Sequence, residues 1–399
     1  MEFAAGRILT ASAGCLALLL IYFGAERIVL AKRRRAVGLR ICVAGTRGKS
    51  TVVRHLASVL RVAGYKVLAK TTGSKPVIIH PDGSEREIAR PGRPSILEQK
   101  RVLGLAARMG ADAVVAEMMS IRPENLRAES ASIFRPGVLA VTNVRLDHLD
   151  DMGRTKDEIA AALAAAVPAG GKMFVLEEEL YPAFVEAARE RNAALVNIPR
   201  GAGKADGGEF PENVRLVTAI AASLGIAPDV ISAGIAAARP DFGALKIWKT
   251  SAVPGGRTLF LASAFAANEP ESSAIVLEAL RRRHPGLPPA TIALLNLRAD
   301  RGDRTEQWLR ALEDGFFASF ERLVFVGDHA RALVRRKWGR KPSKYRRPII
   351  SAVADRDPAR IMAGLGALVV EDSLVVGLGN IGGAGAALVN HWARTGASL

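Results

Sequence analysis

From residue 38 onward, short apolar runs alternate with stretches whose apolar residues recur at helical spacing. ICVAG at 41–45 predicts a buried strand, and KSTVVRHLASVLRVAG predicts the helix that follows it. KVLAKTT (66–72), DAVVAEMM (112–119), VLAVTNV (138–144), KMFVLE (172–177) and AALVNI (193–198) predict further strands. Ser95 with Glu98 has the spacing of a capping box, opening a helix that runs to about Met109 and stops at Gly110. Thr155 with Glu158 repeats that spacing before KDEIAAALAAAV. Three more helices are expected near 180–191, 212–224 and 228–237, with a Gly-rich loop at 201–209. RPDFGALKI (239–247) reads as a boundary and a hinge. Beyond it the alternation restarts with TLFLASAF, TIALLNL, RLVFVGD and SLVVGLG. Continuous apolar strands separated by helices predict parallel sheets covered on both faces. The fold class is therefore α/β. The expected division is an anchor and basic flank at 1–37, a central domain at 38–245 and a smaller carboxy-terminal α/β domain at 246–399.

The amino terminus departs from this pattern. Ile8 to Ala25 carries no charge over 18 residues, near the lower limit for crossing a bilayer. Arg27, Lys32, Arg33, Arg34, Arg35 and Arg40 follow it, while only Arg7 precedes it. That asymmetry predicts a single-pass cell-membrane helix with everything after residue 26 in the cytoplasm. A cleaved signal peptide and a buried core helix are the competing readings. The charge after the apolar run disfavours the signal peptide.

Composition changes the picture in two places. The 399 residues carry a net charge of +17, of which the first 40 account for +5. A basic excess of this kind suits a polyanionic partner or a membrane surface. Aromatics are only 5% of the chain, which weakens a stacking-based nucleic-acid site, and no nucleic-acid partner is expected. The two cysteines, Cys15 and Cys42, cannot form a disulfide framework, and they fit a reducing compartment.

Three segments carry candidate chemistry. Gly45-Thr46-Arg47-Gly48-Lys49-Ser50 lies between a strand and a helix, as a phosphate loop requires. Backbone N–H groups and the helix terminus would cradle phosphate, Lys49 would neutralise it, and Ser50 would bind Mg²⁺. The spacing is GxxGKS, two residues shorter than usual, and a simple turn with an exposed lysine is the bland alternative. Glu117 ends a strand beside that loop, well placed for Mg²⁺, though a lone strand-terminal Glu is most often solvated. TNVRLDHLD at 142–150 gathers Asn, Asp and His148 at the same sheet edge; a capping Asp beside a surface His is the plainer reading.

Together these segments resemble the ATP-dependent Mur ligase superfamily, and within it the ligase subunit of poly-γ-glutamate synthases. The resemblance is carried by GTRGKSTVVR (45–54), AGYKVLAKTTGSKP (63–76), EMMSIRPE (117–124) and VTNVRLDHLDDMG (141–153). FPENVRL (210–216), FAANEPES (265–272), LNLRADRGDRT (295–305) and VGLGNIGG (376–383) continue it. It implies a Mur-ligase-like P-loop central domain and a carboxy-terminal ligase domain. It implies that residues 45–51, including Thr51, hold ATP phosphates, with Ser50, Glu117 and His148 as the magnesium shell. Asn213 would lie near the adenine, and Arg301 and Asp303 would close over the nucleotide. The implied catalytic set is Lys49, Glu117, His148 and Arg301. The implied reaction phosphorylates a terminal carboxylate and joins it to the amine of glutamate. The implied partners are glutamate, the growing poly-γ-glutamate chain and small membrane subunits, with a homo-oligomer also open.

Two departures stand out. EIAAALAAAV lacks the lysine that Mur ligases carry after the DHLD element. Ala264-Phe265-Ala266-Ala267-Asn268 replaces the usual Asp-Tyr-Ala-His-Asn, so no acid or imidazole role transfers there. Gly377-x-Gly379-x-x-Gly382 follows a strand but has no room for the acidic residue of a dinucleotide site, and predicts a tight turn. RRKWGRKPSKYRR at 335–347 reads as a solvated basic loop, a nucleic-acid arm, or an attractor for an acidic polymer or lipid. The alternatives to the leading function are a membrane-tethered P-loop kinase or assembly ATPase, and a Mur or folylpolyglutamate-type ligase with another acceptor.

Overall fold

A computed structural model describes residues 2–73, 75–90, 92, 94–201, 210–251, 256–289, 291–328, 330–335 and 344–399. The Gly-rich segment at 202–209 and most of the basic stretch at 335–347 lie outside the described residues.

The first sheet contains β1 (Leu39–Ala44), β2 (Val67–Lys70), β3 (Val77–Ile79), β4 (Glu85–Glu87), β5 (Ala113–Glu117), β6 (Val138–Val141), β7 (Lys172–Leu176) and β8 (Ala194–Ile198). Their order is β4-β3-β2-β5-β1-β6-β7-β8. The six strands from β2 to β8 in that order are parallel. The edge pair β3 and β4 is antiparallel. Strand periodicity explains the layers. Ile41 and Val43 face one core with the helices Lys49–Val62 and Pro211–Ser223. Cys42 and Ala44 face the opposite core with Val102, Leu103 and Phe134.

The second sheet contains β9 (Lys246–Thr250), β10 (Leu259–Ser263), β11 (Thr291–Leu297), β12 (Arg322–Gly327), β13 (Ile349–Ala352), β14 (Ser373–Gly379) and β15 (Ala397–Ser398). Its order is β13-β12-β11-β14-β10-β9-β15. It too has a core on each face, one around Trp308 and Phe317 and one around Phe265 and Trp392.

Both sheets are parallel in the middle and antiparallel at an edge, where the sequence pattern predicted parallel strands alone. The additional strands are short, and only the three-residue β3 is wholly apolar. ERE of β4 is fully exposed, and β15 spans two exposed residues. β9 begins at the end of the stretch read as a boundary and pairs antiparallel with β10. The Thr155–Glu158 capping box forms as expected. The Ser95–Glu98 box does not: Leu97 occupies the cap position, and the Glu98 carboxylate is drawn away by Lys70 (3.2 Å) and Arg90 (2.7 Å). Two cations outcompete one backbone N–H for that carboxylate.

The chain begins with a 35-residue helix, Glu2–Ala36. Its segment Ala11–Ala36 is long and apolar enough to cross a membrane, with a mean hydropathy of 1.8, and little of it is covered by the rest of the protein.

In the first sheet β1 sits between β5 and β6, and in the second β14 sits between β11 and β10. Neighbouring connections diverge from such points and leave a crevice at the strands' carboxyl ends. The segments after β1, β5 and β6 and those after β10, β11 and β14 line one shared cleft.

Candidate active site

The cleft has a volume of about 600 Å³ and draws its walls from both lobes. That is within the range of small-molecule sites.

Its floor is the loop after β1. Gly45 has φ of 121°, and a Cβ there would stand 2.1 Å from the Thr142 hydroxyl, so only glycine fits. Gly48 caps the following helix in the left-handed region. A Cβ on it would lie 2.8 Å from Asn213 Oδ1. Asn143 clamps the loop from β6: its Oδ1 accepts from the Thr46 hydroxyl (2.8 Å) and the Arg47 N–H (3.0 Å), and its Nδ2 donates to the Arg47 carbonyl (3.2 Å). The Lys49 ammonium donates to the Gly45 carbonyl at 2.7 Å. Burial pulls its pKa below the usual lysine value, against the attraction of Glu117.

Glu117, at the end of β5, is 3% exposed. Its Oε2 accepts from the Ser50 hydroxyl at 2.7 Å and from the Thr72 N–H at 2.8 Å. A hydroxyl and a carboxylate beside a phosphate loop are hard oxygen donors that suit Mg²⁺. No group of three or more His, Cys, Asp or Glu gathers for a metal among the described residues. A cation here would take its other oxygens from phosphate and water, as Mg²⁺ commonly does.

The opposite wall centres on Asp147, which is 1% exposed. Its carboxylate meets Arg47 at 3.1 Å, Arg304 of the second lobe at 3.1 Å and His148 Nε2 at 3.4 Å. Burial alone would raise its pKa, but those three partners hold it well below the usual carboxylate range. His148 is in the left-handed backbone region, with φ of 54°. Its Nδ1 is 3.4 Å from Arg301. Burial lowers the imidazole pKa to about 4, helped by Arg304, Arg301 and Lys49 and opposed by Asp147. The ring is therefore neutral near pH 7.

Further contacts join the lobes. Arg47 Nε is 3.8 Å from Glu269, a 2%-exposed residue that caps the helix Pro270–Arg283. Burial raises the Glu269 pKa despite Arg47. Lys156 of the first lobe reaches Glu271 of the second at 2.7 Å, and within the second lobe Arg304 also donates to Asn380 Oδ1 at 2.9 Å.

The structure thus brings Gly45, Thr46, Arg47, Gly48, Lys49, Ser50, Thr51, Glu117, His148, Asn213 and Arg301 to one cleft. Asp303 is on the first turn of the helix Gly302–Glu313 and is not among the lining residues; Arg304, the next position, is. Ser50 and Glu117 meet directly, whereas His148 is engaged by Asp147 and Arg301. Asp147, Arg304, Asn143 and Glu269 were not singled out in the sequence. Asp147 and Asn143 lie inside TNVRLDHLD, Arg304 inside LNLRADRGDRT and Glu269 inside FAANEPES, so all four sit in segments already noted, without a role of their own.

Comparison with known proteins gives the family and the fold. Residues 43–210 match the Mur ligase middle domain, and residues 249–395 match the poly-gamma-glutamate synthase CapB C-terminal domain. The chain is 34% identical to the capsule biosynthesis protein CapB of Bacillus anthracis over 305 residues, which cover 74% of this chain and 65% of that one. It is 32% identical to the PGA synthase CapB of Bacillus subtilis, over 77% of this chain and 80% of that one. A folylpolyglutamate synthase/dihydrofolate synthase from Yersinia pestis, solved with AMPPNP and a manganese ion, superposes with a TM-score of 0.65 at 15% identity, covering 92% of each chain. That likeness shows a shared fold. The chain belongs to the CapB-type poly-γ-glutamate synthases, which are built on the Mur ligase fold.

Proposed function

We propose that this chain is an ATP-dependent acid–amino-acid ligase that extends poly-γ-glutamate by one amide at a time. The observation that carries the reading is a single cleft in which a phosphate loop and the Ser50–Glu117 pair face the Asp147–His148–Arg301–Arg304 cluster. The loop N–H groups and Lys49 hold the ATP phosphates, and Asn213 packs against the loop on the nucleotide side. Ser50 and Glu117 would hold Mg²⁺, which would supply charge neutralisation at the transferring phosphoryl group. A carboxylate oxygen of the polymer attacks the γ-phosphorus, the bond to the β-phosphate oxygen breaks, and ADP leaves. The amine of incoming glutamate then attacks the acyl carbon, the C–O bond to phosphate breaks, and inorganic phosphate leaves with formation of the amide.

Each demand has a residue. A carboxylate is a poor acylating group, and charge spreading on the phosphoryl oxygens needs cations, here Lys49 and Arg301. Neutral His148 orients groups without adding charge. The acyl phosphate must be kept from water, which two lobes meeting across the cleft achieve. The 239–247 segment between the lobes is the proposed hinge, dividing domains at 38–245 and 246–399. The uncharged helix before residue 26 is the proposed membrane anchor, with the lobes in the cytoplasm. Small membrane subunits are the proposed companions.

ADP release by membranes containing the full chain, with glutamate supplied and omitted, tests the reading. Release that depends on glutamate and yields polymer supports it. Glutamate-independent release without polymer would favour a P-loop ATPase, and glutamate added only to a folate or muropeptide acceptor would favour the other ligases.

A further inference from the structure

The amino-terminal helix does not hang from the body by a linker. Its last turns are packed into the central lobe, with Leu30 and Val37 in the same core as Val102, Leu103 and Ala106 of the helix Glu98–Arg108. Arg33 donates to the Lys100 carbonyl at 3.1 Å, and Glu26 pairs with the Lys100 ammonium. At the other end, the Leu39 N–H bonds the Asp112 carbonyl at 3.1 Å. The two segments therefore run parallel, and the end of the Glu98–Arg108 helix that carries Leu97 points the way the uncharged run leaves the body.

Levels along the axis follow. Lys100 is level with Glu26, one residue after the uncharged run ends. Leu97 is three residues further out, about 5 Å at helical rise. That is the level of Tyr22 and Phe23, which are 61% and 54% exposed. Aromatic residues at the end of an apolar helix mark the headgroup region. At the same level Leu97 exposes 52% of its surface, and the neighbouring Arg101 is exposed. An exposed leucine beside an exposed arginine matches a bilayer interface, apolar below and phosphate-rich above.

We propose that the Ser95–Arg101 segment is a second membrane contact, with Leu97 dipping into the headgroup boundary and Arg101 pairing with the phosphates of anionic phospholipids. It rests on the anchor reading above. Two contacts on a rigid helix–body unit fix how the lobes stand on the membrane, which one flexible tether could not do.

The test uses the full chain in vesicles with and without phosphatidylglycerol, labelled with an environment-sensitive fluorophore. Cys15 is exposed on the apolar helix and Cys42 is buried, so the native chain labels at residue 15. A Leu97→Cys variant in a Cys15→Ser background carries the second label. Lipids bearing a quencher near the glycerol or near the chain end report depth. The expected result is deep quenching at residue 15 in both vesicles and shallow quenching at residue 97 that is strengthened by phosphatidylglycerol. Adding Arg101→Glu should weaken that anionic enhancement about fivefold or more. Quenching at residue 15 with none at residue 97 would overturn the second contact and leave the anchor standing. No quenching at residue 15 would overturn both. Equal quenching at residue 97 with and without phosphatidylglycerol would overturn the pairing of Arg101 with anionic lipid.

Discussion

The phosphate loop and the Asp147 cluster face one another across the same cleft but are built in opposite ways. The loop is local. Gly45 and Gly48 take backbone conformations that β-carbons would block, and the adjoining helix begins at Lys49. The Asp147 cluster is assembled from distant segments: Arg47 after β1, Asp147 and His148 after β6, Arg301 and Arg304 after β11. A local device works in one lobe alone, whereas a dispersed one exists only when the two lobes meet. The difference suggests a division of labour, with the loop binding nucleotide and the cluster registering closure.

The largest effect should come from the loop. Lys49→Ala should lower the rate of glutamate-dependent ADP release by about 10³-fold, with thermal stability near that of the parent. A matching loss of melting temperature would make Lys49 a structural residue and break the comparison. Next comes the cluster. Asp147→Asn leaves the buried Arg304 without its anion and should cost about 3 kcal/mol of unfolding free energy, read by denaturant titration. Combining it with Arg304→Met should cost less than the sum of the single changes, since the pair is in contact. Additive losses would mean that the lobes do not couple through this pair.

Glu117→Gln keeps the shape of the side chain but weakens a cation site. It should raise the magnesium needed for half-maximal ADP release by about tenfold or more, with the loop otherwise intact. The smallest effect is on pH. The His148 pKa is about 4 in the fold against a usual 6.5. Between those values the unfolded chain holds a proton that the folded chain lacks, so stability should fall as pH drops from 6.5 toward 4. Asp147, with its depressed pKa, adds a loss of the same sign below the usual carboxylate range. His148→Gln should flatten the first window and leave the second.

The same contrast decides what the sequence made legible. The central strands of both sheets read directly, because parallel strands buried on two faces are continuous apolar runs, as in ICVA of β1 and LLNL of β11. The edge strands β4 and β15 were silent, being short, exposed and polar. The Ser95–Glu98 spacing misled, since a capping motif assumes that its carboxylate is free, and Lys70 and Arg90 claim it from elsewhere in the chain. In the site, the loop announced itself through glycine spacing and Lys49. Arg304 did not, because its partner Asp147 is 157 residues away and no short window contains both.

The central claim is that the cleft activates a carboxylate by phosphorylating it. The most direct measurement supplies polymer ends whose carboxylates carry ¹⁸O and follows the phosphate released by ³¹P NMR. Acyl-phosphate chemistry moves one labelled oxygen from each reacting carboxylate to phosphate, with ADP as the nucleotide product. Unlabelled phosphate, or AMP in place of ADP, would contradict the account.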